Sequence, residues 1–558
     1  MNFISPSKTT FWRVLVKNKH IILLSIIILF QLVNNIVIIN LDQTDYSYDL
    51  ANVRLKSIEY FESISKFNLS SFIHLFTNTD LFYPPLYMLS SIPLYFVFGT
   101  AQDISAHTNI FYYIILLVSV FYLGKKLVNK DVGLTSSTIV SFLPGIYSFS
   151  RIYLADFALT SMVALSLCLL VYSDKFNNKK FTFLFGISCG FGVMIKWSFL
   201  TYIIGPSIIY FYYSFKKNFL SLNNIKKLKF LALSLFIGML VCLPWYYNKI
   251  DFLLDRGISL NKDYAVQIGG YDAISIENFK QYINMFYPMV FGSIPSYLFI
   301  SLLLFFIWPK TRNKMLIISW ILVPYIILTL APWKNPRYLL PFAPAHAIII
   351  SIIFERIIRK FHKKHLIKFL IYTLCLSLLV TGFISSNYTI SQRTTSSIGL
   401  FKYGLLRPGH TNYKLNEIIK NFNHSDNQPI SLQIIPNSEL LDSLFHEIKF
   451  QKLNIMVDRG LFCIGSGGRS NCGPDGFSRY QDKEFLCEQD YIIDYDTNFS
   501  YETYVVINLP IESPLHNQVI MPLIENWNSC KNSNYQKIYS RDILIRSKTV
   551  PLSIYKKH

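Results

Sequence analysis

Charged and aromatic residues in this chain gather at the ends of apolar runs, and their types suggest a particular chemistry. Asp42, Gln43, Asp45, Tyr46 and Asp49 follow directly on the apolar run 21–40. "SRIYLAD" carries Arg151 and Asp156, Lys196 ends a glycine-rich apolar stretch, and "APWKNPRYLLP" carries Lys334, Arg337 and Tyr338. A carboxylate can take the proton of an attacking hydroxyl, while cations stabilise a departing phosphate. The two functions act at different ends of one breaking bond. The set therefore suits transfer of a sugar from a polyprenyl phosphate to a hydroxyl, with an apolar groove for the lipid tail. Each residue also has a plainer reading. Asp42 could be a solvated aspartate at a helix end, Arg151 and Arg337 could anchor lipid headgroups, and Lys196 could snorkel to the interface.

The elements that must position these residues are membrane helices. Hydrophobic residues make up 52% of the 558 and aromatic residues 16%, too apolar for an ordinary soluble protein. About 20 apolar residues at ~1.5 Å rise cross the hydrocarbon core. The sequence predicts eleven such spans, at 21–40, 107–124, 132–150, 156–173, 181–195, 198–214, 230–247, 289–308, 315–331, 338–354 and 366–385. The apolar run 21–40 is too long for the h-region of a signal peptide, and no small-x-small cleavage site follows it. The fold class expected is an α-helical polytopic membrane protein.

With the N-terminus in the cytoplasm, the cytoplasmic pieces hold 24 Lys and Arg against three acids, Asp131, Asp174 and Glu355. The formal net charge of +20 is thus almost wholly a topology signal, and no nucleic-acid partner is needed to explain it. Residues 1–385 form the membrane module, with outer loops at 41–106 and 248–288, and residues 386–558 form an extracytoplasmic α/β or α+β domain. In that tail "PISLQII", "KLNIMV", "TYVVINL" and "RDILIRS" read as strands, and "NYKLNEIIKNF" and "SELLDSLFHEIKF" as helices. Cys463, Cys472, Cys487 and Cys530 lie there, where an oxidising compartment favours disulfides, with three pairings open. Cys168, Cys189, Cys242 and Cys375 lie in or beside spans and read as buried thiols.

Within the first outer loop, "RLKSIEYFESISKF" is amphipathic and should lie along the interface. The segment "YPPLYMLSSIPLYFVFG" is apolar but interrupted by Pro84, Pro85 and Pro93, so it reads as a re-entrant or interfacial piece. Ionisable groups lie at helix ends rather than at the midplane, and no inverted repeat is evident. Both features count against the main alternative, a transporter or flippase of lipid-linked saccharides. A receptor-like scaffold whose outer domain binds glycans is a further alternative.

Over about residues 10–390 the chain resembles the membrane glycosyltransferases of the GT-C fold, in the bacterial family related to protein O-mannosyltransferases and the lipid A aminoarabinose transferase. Five motifs carry the resemblance: "DQTDYSYDLANV", "YPPLYMLSSIPLYFVFG", "RIYLADFAL", "GISCGFGVMIKWSFL" and "NPRYLLPFAP". It implies an integral membrane enzyme with the N-terminus cytoplasmic and the C-terminal domain outside, in a bacterial plasma membrane. The donor would be a polyprenyl-phosphate-linked sugar, the acceptor a hydroxyl, and the transfer inverting. Asp42 would be the principal catalytic aspartate and Asp156 the second acidic residue. Lys196, Lys334, Arg337, Tyr338 and Arg151 would lie near the donor phosphate, and Gln43, Asp45, Tyr46 and Tyr83 would line the substrate cavity. Gln43 stands where that family commonly has glutamate, and Tyr83-Pro84 where the aminoarabinose transferase has Glu-Lys. These departures argue against a metal requirement and against that particular sugar, so no cofactor is expected.

Overall fold

The computed structural model describes residues 8–41, 48–78, 83–216, 221–247, 249–250, 312–331 and 335–361, five strands of the tail, and a few positions between them. The chain divides into two compact units, residues 1–39 with 57–406 and residues 40–56 with 407–558. The described residues of the first unit are helical. Among the described residues five helical stretches are long and apolar enough to cross a membrane: Asn18–Leu41, Gln102–Leu127, Ala155–Tyr172, Leu222–Tyr246 and Arg337–Lys360.

Helix α1 (Lys8–Leu41) is followed by α2 (Tyr48–Ser65) and α3 (Leu69–Asn78). The proline-rich segment then forms two short helices, α4 (Leu86–Leu89) and α5 (Ile92–Phe98), with Pro85 capping the first and Pro93 opening the second. The segment is divided where its prolines fall, because proline cannot donate the hydrogen bond that a helix interior needs. After α6 (Gln102–His107) comes α7 (Asn109–Leu127), which matches the span expected at 107–124.

The span expected at 132–150 is instead a broken pair, α8 (Lys130–Ser141) and α9 (Pro144–Phe149). Pro144 disfavours helical backbone in the residue before it, and Leu143 is extended at φ −72°, ψ 133°. The chain goes on through α10 (Ala155–Tyr172), α11 (Lys179–Ile195), α12 (Phe199–Phe215) and α13 (Leu222–Tyr246). Then come α14 (Arg312–Leu330), a 3-10 helix over Pro336–Phe342, and α15 (Ala343–Lys360). The expected span 289–308 and most of 366–385 lie outside the described residues.

Helix α10 is the hub. It packs against α7, α11, α12 and the 3-10 helix, and 83% of its apolar window is buried, against 28% for α1 and 22% for α13, which present most of their surface outward. Helices α11 and α13 approach closely because both are glycine-bearing at the contact. A Cβ on Gly190 would run into the Gly238 carbonyl, and one on Gly238 into the Gly186 carbonyl. Small residues of this kind let helix backbones meet where lipid supplies no hydrophobic drive. Gly238→Leu should therefore cost ~1–3 kcal/mol or more through overpacking. Fluorescence-detected size exclusion of the heated protein reads this, and a variant as heat-resistant as the wild type would refute the contact.

In the second unit the described strands are β1 (Ile430–Ile435), β2 (Ile455–Val457), β3 (Tyr491–Asp494), β4 (Tyr535–Ile545) and β5 (Lys548–Lys557), in the order β2-β1-β3-β5-β4. Strand β1 pairs in parallel with β2 and β3, while β5 runs antiparallel to β3 and β4. Strands β1, β2 and β4 fall on "PISLQII", "KLNIMV" and "RDILIRS". The segment "TYVVINL", the two tail helices and the four tail cysteines lie outside the described residues.

Candidate active site

The glycine-rich stretch at the end of α11 sets the geometry. Lys196 is extended (φ −158°, ψ 131°) and ends the helix, and α12 begins at Phe199. The turn closes tightly because the Phe199 ring occupies the space that a Cβ on Gly192 would need. Lys196 is thereby directed inward, 5% exposed, and its Nζ donates to Asp156 Oδ1 at 2.7 Å.

Asp156 sits in the first turn of α10 and is fully buried. The positive end of the helix dipole favours a carboxylate there. Its other oxygen, Oδ2, lies 3.9 Å from Nε of Arg337, whose side chain is 14% exposed. Arg337 belongs to the 3-10 helix, which begins where the Asn335 side chain accepts a hydrogen bond from the Arg337 backbone N–H at 3.1 Å. Tyr202 of α12 fixes the next residue by donating its hydroxyl to the Tyr338 carbonyl at 2.9 Å. The Lys196 ammonium lies 5.4 Å from the Tyr83 ring centre and 5.3 Å from that of Tyr338, within cation–π range.

Two cations thus share one carboxylate under two half-buried tyrosines. Taking the Lys196–Asp156 pair out of water is costly, and a buried pair is seldom kept for stability alone. Two inward-facing cations beside tyrosine rings suit an anionic group carried on an apolar or sugar-like body. Among the described residues no group of three or more His, Cys, Asp or Glu side chains could hold a metal ion.

The approach to Asp156, residues 150–154, is gripped by polar side chains from distant elements. Asn109 of α7, fully buried, donates to the Ile152 carbonyl at 2.7 Å and accepts from the Tyr87 hydroxyl at 3.1 Å. The Tyr153 hydroxyl is 2.6 Å from Ser91 Oγ. Burial holds the Tyr153 phenol well above its ordinary pKa, so it stays protonated. The same region holds the proline-rich segment down, since Tyr95 bonds both Ser57 at 2.6 Å and Ser105 at 2.8 Å.

Of the residues singled out in the sequence, Asp156, Lys196, Arg337, Tyr338 and Tyr83 come together. Arg151 is engaged elsewhere: its Nε donates to Asn35 of α1 at 3.0 Å and its guanidinium lies over the Tyr147 ring. Asp42, Gln43, Asp45, Tyr46 and Lys334 lie outside the described residues. Sequence reading passed over Tyr202, Asn109 and Asn35. The last had a visible signal, since "QLVNN" places three amides within five residues of an apolar run.

Residues 56–255 match the family described as dolichyl-phosphate-mannose-protein mannosyltransferase, a stretch that includes Tyr83, Asp156 and Lys196 but not Arg337. No curated protein matches the chain by sequence. Among solved structures, the chain is similar to ArnT from Cupriavidus metallidurans bound to undecaprenyl phosphate, with TM-score 0.54, 12% identity and coverage of 96% of this chain and 98% of that one. It is also similar to the oligosaccharyltransferase AglB from Archaeoglobus fulgidus, in complex with an inhibitory peptide and a dolichol-phosphate. There the TM-score is 0.53, the identity 12%, and the coverage 95% of this chain and 80% of that one. At such identities the likeness is one of fold.

Proposed function

We propose that this chain, which has the GT-C fold, is an integral-membrane glycosyltransferase that moves a sugar from a polyprenyl-phosphate donor to a hydroxyl acceptor, with inversion. The observation that carries the reading is the buried cluster in which Lys196 and Arg337 both meet Asp156 beside the Tyr83 and Tyr338 rings. Support comes from the two similar structures, which hold undecaprenyl phosphate and a dolichol-phosphate. It comes also from the mannosyltransferase family match, which spans Asp156 and Lys196.

In this reading the donor phosphate lies against Lys196 and Arg337, with Lys334 as a further cation and Tyr83 and Tyr338 flanking the sugar. Asp156 keeps Lys196 and Arg337 in place, so it is a positioning residue for them. Asp42 takes the proton of the acceptor hydroxyl, whose oxygen attacks the anomeric carbon from the face opposite the phosphate. The carbon–oxygen bond to the phosphate breaks, the electron pair leaves with the polyprenyl phosphate, and the two cations balance its added charge. Gln43, Asp45 and Tyr46 border the acceptor. No metal takes part. The membrane is a bacterial plasma membrane crossed about eleven times, with the N-terminus in the cytoplasm and residues 386–558 outside.

The test is to incubate the purified full chain in nanodiscs, with chelator present, with a panel of labelled polyprenyl-phosphate sugars. Release of sugar from at least one donor is expected. Passage of a lipid-linked saccharide across a proteoliposome without cleavage of any donor would place the chain among transporters instead.

A further inference from the structure

We infer that Arg151 is a positioning residue, joined with Asn35 in a latch that ties the first membrane helix to the loop delivering Asp156. The inference rests on the donor reading above for its functional consequence, and on geometry alone for the latch.

Asn35 uses both ends of its amide on consecutive residues. Its Oδ1 accepts from Arg151 Nε at 3.0 Å, and its Nδ2 donates to Ser150 Oγ at 2.8 Å. Ser150 Oγ in turn donates to the Tyr147 carbonyl at 2.8 Å, and the Arg151 guanidinium carbon stands 5.2 Å from the Tyr147 ring centre. One turn earlier on the same face of α1, Gln31 Nε2 donates to the Ser141 carbonyl at 3.1 Å. That carbonyl also accepts from the Tyr113 hydroxyl at 3.1 Å. All of these side chains are buried, with Arg151 the most exposed at 9%.

A hydrogen-bonded seam therefore runs along one side of α1, a helix that has little other burial. Amide bonds of this kind join helices where apolar packing cannot discriminate between lipid and protein. The seam ends at Ser150 and Arg151, five to six residues before Asp156. Asn109 and Ser91 fix the intervening Ile152 and Tyr153. A displacement at 150–151 is thus passed along a short, well-held segment to the carboxylate that orients Lys196. Arg151 belongs to this seam, whereas the cations facing a phosphate, Lys196 and Arg337, are organised around Asp156.

The latch can be read in the full chain in nanodiscs, using undecaprenyl phosphate as the probe and neutral undecaprenol as its control. Variants Asn35→Ala, Arg151→Ala, their double, and Asn35→Asp are compared in affinity and in melting temperature. Each alanine variant should bind undecaprenyl phosphate about tenfold more weakly. The double variant should be no weaker than the worse single one, because a broken latch cannot be broken twice. Asn35→Asp should recover most of the loss, since a carboxylate accepts from the same Nε and Ser150 can turn its hydroxyl proton toward it.

Three outcomes would overturn the inference. The first is a large loss for Arg151→Ala with none for Asn35→Ala, which would make Arg151 a direct phosphate ligand. The second is additive losses. The third is a fall in melting temperature with undecaprenyl phosphate affinity unchanged, which would leave only a structural role. Wild-type protein without affinity for undecaprenyl phosphate would sink the donor reading instead. The latch would then be judged on melting temperatures, and a double variant clearly less stable than either single one would refute it.

Discussion

Asp42→Asn should lower turnover by ~10²–10⁴-fold while leaving donor affinity within about twofold of wild type, given what a positioned general base usually contributes. Asparagine keeps the size and much of the hydrogen bonding of aspartate but cannot accept the acceptor's proton. In barrier terms the loss is about 3 to 5 kcal/mol. Arg337→Ala makes the necessary contrast. It removes a cation 3.9 Å from the Asp156 carboxylate, so donor affinity and turnover should fall together. Both parameters can be measured on one membrane preparation with a single labelled donor. Near-normal turnover of Asp42→Asn would take the base out of the mechanism and return this aspartate to a solvated helix end.

Asp156→Ala should be the most destabilising of the charge substitutions. Lys196 and Asp156 are 6% and 0% exposed at their side chains and 2.7 Å apart. Removing one partner leaves a charge buried without its counter-ion, which typically costs ~3–5 kcal/mol. Lys196→Met added to Asp156→Ala should recover much of that loss, because an apolar pair of similar volume needs no counter-ion. It should not recover donor binding. Undecaprenyl phosphate should raise the melting temperature of Asp156→Ala by less than that of wild type, since Lys196 and Arg337 are then no longer held in place to face the phosphate. Thermal unfolding of the three proteins, with and without the lipid, separates these effects. If Asp156→Ala melts with the wild type, the pair is an incidental contact and the site loses its centre.

The candidate site was partly legible because charge is conspicuous in an apolar chain. Lys196 stands between two apolar stretches, and Asp156 opens one, so each could be placed at the end of a helix. What could not be read was which partner. Arg151 and Arg337 look alike in sequence, both next to apolar runs with tyrosine nearby. Only the fold shows that one meets Asn35, 116 residues earlier, and the other approaches Asp156. Pairings of that length are fixed by the packing of whole helices, which local pattern does not encode. The break at Pro144 had a local cause, yet the apolar run through it hid the boundary. Strands β1 and β2 were legible because short β-branched runs bounded by polar residues have few other uses.

The amide seam of α1 also bears on how the chain is made. Gln31 and Asn35 reach partners 110 to 116 residues further along the chain. Synthesis at ~5–20 residues per second puts those partners roughly 5 to 25 s behind the helix that needs them. In hydrocarbon an unsatisfied amide is costly, so α1 gains little from early release into the lipid. The delay favours retention of the first helix at the insertion machinery, or in another polar shelter, until α8 and α9 have emerged. Gln31 and Asn35 in this way make the settling of α1 wait on segments that are made later.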